Sequence, residues 1–324
     1  MKTENSPIIT VICTSYNHEK YIQQCLEGFV MQQTDFAFEI IVHDDASTDN
    51  TQKIIKKFAE NYPHLFFNIY QTQNHFSKKE INIWSDIMIP KARGKYIAIC
   101  EGDDYWTDPF KLQKQVDFLE ANPDYGLVHS NFNFLYDNHN KLVKNRSVRD
   151  DSNFTFKSLL SGKFTIGTLT VCFVKKYYHN YIAETTPMSE NWKMGDLPLW
   201  LYISNFYKTH YINEVMGVYR VLEESASQTS DVNKRYDFED NIFLINIFFG
   251  AKYLSNDKFI NDYLKCLCLY KKIIVNRQYC GQWRDFFRFF ITFHAANRNI
   301  RLFALSFKQL FHKVGINVKT FILC

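Results

Sequence analysis

The stretch YIAICEGDDYW, residues 96–106, places three carboxylates directly after an apolar run. The run at 96–100 predicts a strand that ends inside the folded core. The carboxylates that follow it belong to Glu101, Asp103 and Asp104. Carboxylates beside a core are costly unless a cation, a basic side chain or backbone donors compensate them. The stretch therefore predicts a functional site at the end of a buried strand.

The surrounding sequence alternates between strand-like and helix-like patterns. Apolar runs predict strands at 8–14, 38–43, 65–71, 95–100, 125–136 and 164–176. Helical spacing of apolar residues predicts helices at 19–32, 49–63, about 78–91 and 109–121. Strands that alternate with helices of this length imply parallel pairing through right-handed crossovers. We therefore predict an α/β fold with a doubly wound, mostly parallel sheet.

The pattern changes towards the C-terminus, where it is helical from about residue 236 to the end. We predict an α/β domain at 1–235 and a helical, basic and aromatic C-terminal region at 236–324. Between Cys280 and Gly315, six Arg or Lys stand against one acid and are interleaved with Phe and Trp. Two alternatives remain open: the helices lie in a membrane interface, or their aromatic side chains pack on the α/β domain.

Composition and charge bound the class of protein. Of the 324 residues, 46% are hydrophobic and 22% are charged, which is ordinary for a globular protein. The net charge of +4 and the lack of any zinc-finger, RNA-recognition or helix-turn-helix signature argue against nucleic acid as a partner. The eight cysteines form no C-x-x-C pair, and no signal peptide or long apolar span is evident. These features predict a cytoplasmic location.

Polar clusters follow three of the predicted strands. They are TSYN at 14–17, HDDASTD at 43–49 and EGDD at 101–104. Ligands of open α/β sheets bind outside the carboxyl ends of the strands, where adjoining loops form a crevice. We therefore expect all three clusters to line one edge of the sheet.

The carboxylates of these clusters fit two interpretations. Asp103 and Asp104 offer the hard oxygen ligands that Mg²⁺ or Mn²⁺ prefers when it holds a substrate diphosphate. In the alternative interpretation they only make a turn and cap the following helix. After the second strand, Asp44 and Asp45 can accept from a ribose hydroxyl or a base imino group. The alternative there is a series of helix caps, which is stronger for Ser47 and Asp49 than for Asp45.

Asp196 stands alone after Gly195, with Trp192 and Trp200 nearby in the sequence. A carboxylate beside aromatic surface can act as a general base towards an acceptor hydroxyl. Helix capping is an equally natural role, because Pro198 falls in the predicted first turn.

The joint arrangement of these motifs resembles family 2 glycosyltransferases. TSYNHEKYI, EIIVHDDASTDNT and GKYIAICEGDDYWTDPFKLQKQ are followed by the isolated Asp196 and by YRVLEESAS, in the order and spacing of that family. The resemblance covers about residues 7–230. It implies a GT-A fold and metal-dependent transfer of a sugar from a nucleotide diphosphate donor, with inversion and without a covalent enzyme intermediate.

The resemblance also implies roles for individual residues in donor binding. Thr14, Tyr16 and Asp45 would contact the nucleotide base and ribose, and Asp103 would contact the ribose or the diphosphate. Arg220, in YRVLEESAS, would cover the diphosphate, which suits a guanidinium because it pairs bidentately with phosphate oxygens.

For metal binding and catalysis, the resemblance implies that Asp104 binds Mn²⁺ or Mg²⁺ and that Asp196 is the base. The sequence departs from the family pattern at Leu222 and Glu223, where many relatives carry a histidine. The basic donor contact near residues 78–82 is not fixed by the sequence.

The expected donor is a UDP-sugar, and the expected acceptor is a hydroxyl of a glycan or of a lipid-linked saccharide in cell-surface polysaccharide synthesis. With a lipid-linked acceptor, the C-terminal helices would dock the enzyme peripherally on the inner face of the membrane. The competing hypothesis is a non-catalytic scaffold protein of the same fold that binds carbohydrate or nucleotide. Such a protein would show no donor turnover.

Overall fold

The computed structural model describes residues 6–78, 81–144, 154–160, 165–186, 192–222 and 232–254. The chain divides into two compact units, Met1–Phe249 and Gly250–Cys324. The basic and aromatic segment predicted between Cys280 and Gly315 lies outside the described residues.

The described residues form nine strands and eight α-helices. The strands are β1 (Ile9–Ser15), β2 (Phe38–Asp44), β3 (Phe66–Tyr70), β4 (Tyr96–Ile99), β5 (Tyr105–Trp106), β6 (Tyr125–Tyr136), β7 (Lys141–Val143), β8 (Cys172–Val174) and β9 (Lys208–Val221). The helices are α1 (Ile22–Val30), α2 (Thr51–Asn61), α3 (His75–Lys78), α4 (Lys111–Ala121), α5 (Phe156–Leu160), α6 (Lys175–Thr185), α7 (Asp196–Phe206) and α8 (Val232–Tyr253).

All nine strands belong to one sheet in the order β3-β2-β1-β4-β8-β6-β9-β5, with β7 paired to β6. The first four strands are parallel, as the alternation of strands and helices predicts. Beyond β4 the sheet is mixed, because β8 is antiparallel to both β4 and β6 while β9 is parallel to β6. The short β5 pairs antiparallel with β9, which brings the chain after EGDD against a strand more than a hundred residues later.

The core lies between the parallel strands and the helices that connect them. Every residue of β4 is buried, and β1 and β2 are buried over nearly their whole length, as expected for parallel strands covered on both faces. Helix α1 covers one face with Ile22, Cys25, Leu26 and Phe29, all fully buried. This burial fixes the strand ends from which the site is built.

Two predicted elements differ from the structure. The helix expected near 78–91 is a π-helix, Ile83–Met88, followed by a 3-10 turn, Ile89–Lys91. Pro90 has no N–H to donate and its ring crowds the preceding turn, so a regular α-helix cannot continue through it. The strand expected at 164–176 is reduced to β8, since only three residues pair with β4 and a helix begins directly afterwards.

Helix α8 begins at Val232, and the boundary predicted between residues 235 and 236 stays a prediction. The two compact units divide further along, between Phe249 and Gly250. Within the described ranges, no helix is both long enough and apolar enough to cross a membrane.

Candidate active site

The three polar clusters meet at the carboxyl edge of the parallel strands. The backbone N–H of Gly102 donates to the carbonyl of Thr14 at 2.9 Å, which joins the EGDD turn to the end of β1. The N–H of Asp45 donates to the carbonyl of Ser15 at 2.9 Å, which joins the end of β2 to the same point. The adjacent parallel ladders therefore bring the clusters to one crevice, as the sequence predicts.

The EGDD turn gathers three carboxylates. One ligand oxygen each of Glu101, Asp103 and Asp104 lies within 4.8 Å of the others. The turn is closed by the N–H of Asp104, which donates to the carbonyl of Glu101 at 3.0 Å. The thiol of Cys25 on α1 donates to the same carbonyl at 3.4 Å. The sequence assigned no role to Glu101, although it stands in the quoted motif and the structure adds it to the cluster.

Gly102 makes this turn possible because the chain passes close to the loop after β1. A Cβ atom at this position would lie 2.8 Å from Nδ1 of His18 and 3.1 Å from Cβ of Ser15. Nδ1 of His18 is buried without a hydrogen-bond partner in the described part of the chain. Burial lowers the pKa of His18, and the negative charge of Asp103 opposes that effect. A neutral imidazole therefore packs directly beside the carboxylate turn.

The electrostatics of the cluster favour a cation. Burial raises the pKa of Asp104 well above its usual range, and the neighbouring charge of Asp103 raises it further. Burial raises the pKa of Glu101 to about 8, with contributions from the charges of Asp103 and Asp196. Three carboxylates that disfavour one another's ionisation at this separation form a donor set of hard oxygens. Such a set fits Mg²⁺ or Mn²⁺.

Arg220 on β9 holds both aspartates of the cluster. Its backbone N–H donates to Oδ1 of Asp104 at 2.7 Å, and its Nε donates to the carbonyl of Asp103 at 2.8 Å. Asp104 is 2% exposed and Arg220 is 6% exposed. The backbone bond occupies one oxygen of Asp104 and fixes the direction of the carboxylate.

The rest of the Arg220 guanidinium is engaged by side chains around it. Nη2 donates to Oε1 of Gln24 at 2.7 Å, and Nη1 lies 3.4 Å from Oδ1 of Asp137. The group also stacks over the rings of Tyr21 and Tyr105, 4.7 and 5.4 Å from their centres. A contact between this guanidinium and a diphosphate, as the resemblance implies, requires it to exchange some of these partners. The sequence contained no signal for Gln24 or Asp137.

Asp45 lies at the crevice and is 3% exposed. Its two carboxylate oxygens accept the backbone N–H groups of His75 and Phe76, each at 2.9 Å. Asp45, which directly follows β2, therefore caps the short helix α3. The lone pairs that remain are the ones available for a base or a ribose hydroxyl.

Asp44 is fully buried and forms a local network. Its carboxylate accepts from Gln52 and from both the backbone and the hydroxyl of Ser47. The bonds from Ser47 hold the loop before α2, and only Gln52 belongs to the helix itself. The N-cap residue of α2 is Asn50, whose side chain makes no cap bond, so Asp44 does not cap the helix.

Thr14 and Tyr16 line the start of the crevice after β1. Thr14 is half-buried, and Tyr16 is 44% exposed, which leaves its ring accessible to a planar ligand. The loop is held by Asn17, whose N–H donates to the hydroxyl of Ser47 at 2.9 Å. Asn17 adopts a positive φ of 55°, a conformation that Asn tolerates better than most residues.

Asp196 is the first residue of α7 and follows the N-cap residue Gly195, so it does not cap the helix as the capping interpretation expected. Its Oδ1 accepts the N–H of Leu197 at 2.8 Å, and its Oδ2 accepts the hydroxyl of Thr168 at 2.8 Å. Its charge adds to the raised pKa of Glu101, after the larger effects of burial and of Asp103. The sequence did not identify Thr168.

The residues considered for a basic donor contact have other partners or are not described. Lys78 donates to Gln73 at 2.5 Å, and the side chain of Asn82 accepts the N–H groups of Trp84 and Ser85 at the start of the π-helix. Lys79 lies outside the described residues.

Comparison with known families identifies the class of protein. The model of glycosyl transferase family 2 matches residues 10–182, which is just over half of the chain. The protein therefore belongs to glycosyl transferase family 2, as the motifs predict.

Sequence relatives are found among bacterial proteins. An uncharacterised protein of Mycobacterium tuberculosis is 45% identical over 119 residues, which are 36% of this chain and 32% of that protein. This match spans about a third of the relative's length. The putative teichuronic acid biosynthesis glycosyltransferase TuaG of Bacillus subtilis is 26% identical over 226 residues, covering 69% of this chain and 83% of TuaG.

Solved structures confirm the GT-A fold. S. aureus TarS 1–349, in complex with UDP-GlcNAc, superposes with a TM-score of 0.57 at 16% identity over 87% of this chain and 80% of that one. The mannosyltransferase PcManGT of Pyrobaculum calidifontis, in complex with GDP-Man and Mn²⁺, gives a TM-score of 0.55 at 18% identity over 81% and 72%. At these identities the likeness shows the fold alone.

Proposed function

We propose that the protein is a metal-dependent, inverting glycosyltransferase that moves a sugar from a nucleotide diphosphate donor to an acceptor hydroxyl. The observation that supports this most directly is the cluster of Glu101, Asp103 and Asp104 after β4, whose ligand oxygens lie within 4.8 Å of one another. A crevice that can hold a cation, together with a candidate base, has the parts that sugar transfer needs.

In this proposal the donor lies along the strand ends. Tyr16 stacks on the base, and Thr14 and Asp45 contact the base and ribose. Asp103 contacts the ribose or diphosphate, and Arg220 contacts the diphosphate after exchanging partners. The structures of the relatives contain UDP, UDP-GlcNAc and GDP-Man, which supports a nucleotide-sugar donor here. A UDP-sugar is the donor to test first.

Asp104, with Asp103 and Glu101, would hold Mg²⁺ or Mn²⁺. When bound, the cation neutralises charge on the diphosphate that leaves. Asp196 accepts the proton of the acceptor hydroxyl, whose oxygen forms a bond to the anomeric carbon from the opposite side. The bond between that carbon and the phosphate oxygen breaks, and the nucleoside diphosphate leaves with the electron pair. One displacement inverts the configuration of the anomeric carbon.

The acceptor in this proposal is a glycan or a lipid-linked saccharide of a cell-surface polysaccharide. Support comes from the names of relatives, which include TuaG and the E. coli glucosyltransferase WfaP, described as acting on a diphosphoundecaprenol-linked GlcNAc. Docking of the C-terminal region on the inner face of the membrane stays a prediction. Deleting residues 280–324 tests it, because the truncated protein should leave the membrane fraction.

Calorimetric titration tests the donor site. Purified protein is titrated with UDP, GDP, dTDP and CDP, each with Mn²⁺ and with EDTA, and the series is repeated on Asp104→Ala. We expect one nucleotide to bind only with Mn²⁺ and this binding to be lost in the variant. Asp117→Asn, which changes an acid of α4 outside the cluster, is the control and should bind as the wild type does.

Three outcomes would count against the proposal. Nucleotide binding that is unchanged by EDTA and by Asp104→Ala would remove the metal from the mechanism. Retained anomeric configuration in the product, read by NMR, would exclude a single displacement. Nucleotide binding without any turnover would favour the non-catalytic scaffold.

A further inference from the structure

A short 3-10 turn, Thr168–Thr170, connects the carboxylate motif to the candidate base. The hydroxyl of Thr168 donates to Oδ2 of Asp196 at 2.8 Å. In the sequence the turn comes just before β8, and its last residue stands 26 residues before Asp196. Only the tertiary structure brings the two side chains together.

The turn is anchored at the two residues that follow Thr168. The indole N–H of Trp106 donates to the carbonyl of Leu169 at 2.7 Å, and Trp106 follows Asp104 by two residues in EGDDYW. The side chain of Gln115 on α4 donates to the carbonyl of Thr170 at 2.7 Å. Leu169 and Thr170 are fully buried. The hydroxyl of Thr168 is therefore held by a buried turn that is hydrogen-bonded to the segment after the EGDD carboxylates.

We infer that Thr168 is a positioning residue that orients the Asp196 carboxylate for proton transfer, and that the Trp106 anchor sets this orientation relative to the carboxylate cluster. This inference rests on the proposed function. The terminal torsion of an Asp side chain is broad, so a carboxylate at a helix start needs a second contact to fix its plane. The Leu197 N–H binds one oxygen and the Thr168 hydroxyl binds the other, and together they define that plane.

The inference predicts that substitutions of Thr168 change kcat and leave donor binding unchanged. Thr168→Val keeps the shape of the side chain and removes the donor, so kcat should fall about ten- to a hundredfold, the range expected for a hydrogen bond to a charged group. Among the described residues, the hydroxyl of Thr168 donates to Asp196 and to no residue of the donor set, so the KM for the donor and the Mn²⁺-dependent affinity for the nucleotide should not change. Thr168→Ser restores the hydroxyl and should recover most of the rate.

The probes are UDP-GlcNAc and GDP-mannose with Mn²⁺, with water as the acceptor, and the readout is the initial rate of nucleoside diphosphate release. Thr170→Val is the matched control. Its hydroxyl donates to the carbonyl of Gly167 within the same turn and does not contact Asp196, so its loss should leave kcat unchanged. A fall in kcat that is equal in Thr168→Val and Thr170→Val would overturn the inference, because it would reflect only loosening of the turn.

A double-mutant cycle distinguishes this inference from the proposed function. If Asp196→Asn abolishes release, Thr168→Val should have no further effect in that background. If Asp196→Asn leaves the rate intact, the assignment of the base is wrong and the proposed function fails at that point. If Asp196→Asn abolishes release while Thr168→Val is fully active, only the inference about Thr168 fails.

Crystal structures of the wild type and of Thr168→Val provide a measurement independent of turnover. We expect the Asp196 carboxylate to rotate about its terminal torsion, or to occupy two orientations, in the variant. A carboxylate that keeps one orientation in both structures would show that Thr168 does not position it.

Discussion

Lys111 on α4 is fully buried, and its burial predicts an unusual dependence of stability on pH. Its Nζ donates to Oε1 of Gln115 at 2.7 Å and lies 4.2 Å from the ring centre of Trp106. Burial lowers the pKa of Lys111 from 10.5 to about 8, while the facing groups Cys100, Cys172 and Asp108 oppose the shift. Near neutral pH the folded protein therefore holds a charged lysine away from water.

The size and sign of the effect follow from linkage. Below pH 8 the lysine is protonated in both states, and the charge costs the folded state about 3 kcal/mol, at about 1.4 kcal/mol for each pH unit that separates the two pKa values. Between pH 8 and 10.5 the unfolded state binds more protons, so stability rises with pH. From pH 7 to 9 the contribution of Lys111 to the free energy of unfolding should increase by about 1.3 kcal/mol.

Lys111→Met isolates this contribution. Urea unfolding followed by circular dichroism at pH 7, 8 and 9 gives the free energy of unfolding of both proteins. The difference between them should move by about 1.3 kcal/mol in favour of the wild type as pH rises. Burial also raises the pKa of Cys100 to about 11 and of Cys172 to about 12, but both thiols are present in both proteins and cancel in the difference.

Lys114→Met, in the same helix, is the control. Hydrogen bonds to Asp108 and Glu214 raise the pKa of Lys114, so it stays charged in both states over this range and its substitution should give a difference that does not depend on pH. A flat difference for Lys111→Met as well would refute the reasoning, because it would mean that the buried lysine titrates normally.

Three further substitutions test the packing and the site. Gly94→Ala should destabilise the fold by at least about 2 kcal/mol in urea unfolding, because its Cβ would lie 2.5 Å from a backbone nitrogen of β1; wild-type stability would contradict the close approach. Glu39→Gln should lower the free energy of unfolding by about 1 to 3 kcal/mol, because this buried carboxylate accepts from Arg93 at 2.6 Å. The control Glu120→Gln removes an exposed ion pair and should cost less than about 1 kcal/mol. Equal losses in the two variants would argue against the role of burial. Arg220→Lys should weaken Mn²⁺-dependent nucleotide binding about tenfold or more, because an ammonium lacks the planar pair of donors with which a guanidinium binds two phosphate oxygens. Calorimetry that shows unchanged affinity would exclude this role.

Local periodicity predicted the first half of the fold well. The strand at 125–136 has the predicted ends, and those at 38–43 and 65–71 differ by a residue or so. Buried parallel strands consist of short apolar runs bounded by polar residues, so they can be recognised from the sequence alone. The prediction was weaker at 78–91, where a proline ends the regular helix. It was also weaker at 164–176, where only three residues pair with β4.

The sequence predicted those parts of the candidate site that lie just after the ends of the parallel strands. Asp103, Asp104 and Asp45 all follow a strand directly, so the rule that ligands bind at carboxyl ends brings them together. Gln24, Asp137 and Thr168 carried no such signal. Each of them contacts a residue far away in the chain.

The sequence by itself determined the parallel α/β core, the carboxyl edge and the carboxylate motif, because these depend on the alternation of apolar and polar residues over short distances. The tertiary structure decided how the carboxylates are held. Arg220 reaches Asp104 where β9 pairs with β5, and Thr168 reaches Asp196 from a turn that accepts a hydrogen bond from Trp106. Such contacts are set by strand register and packing across the whole sheet, and no local pattern encodes them.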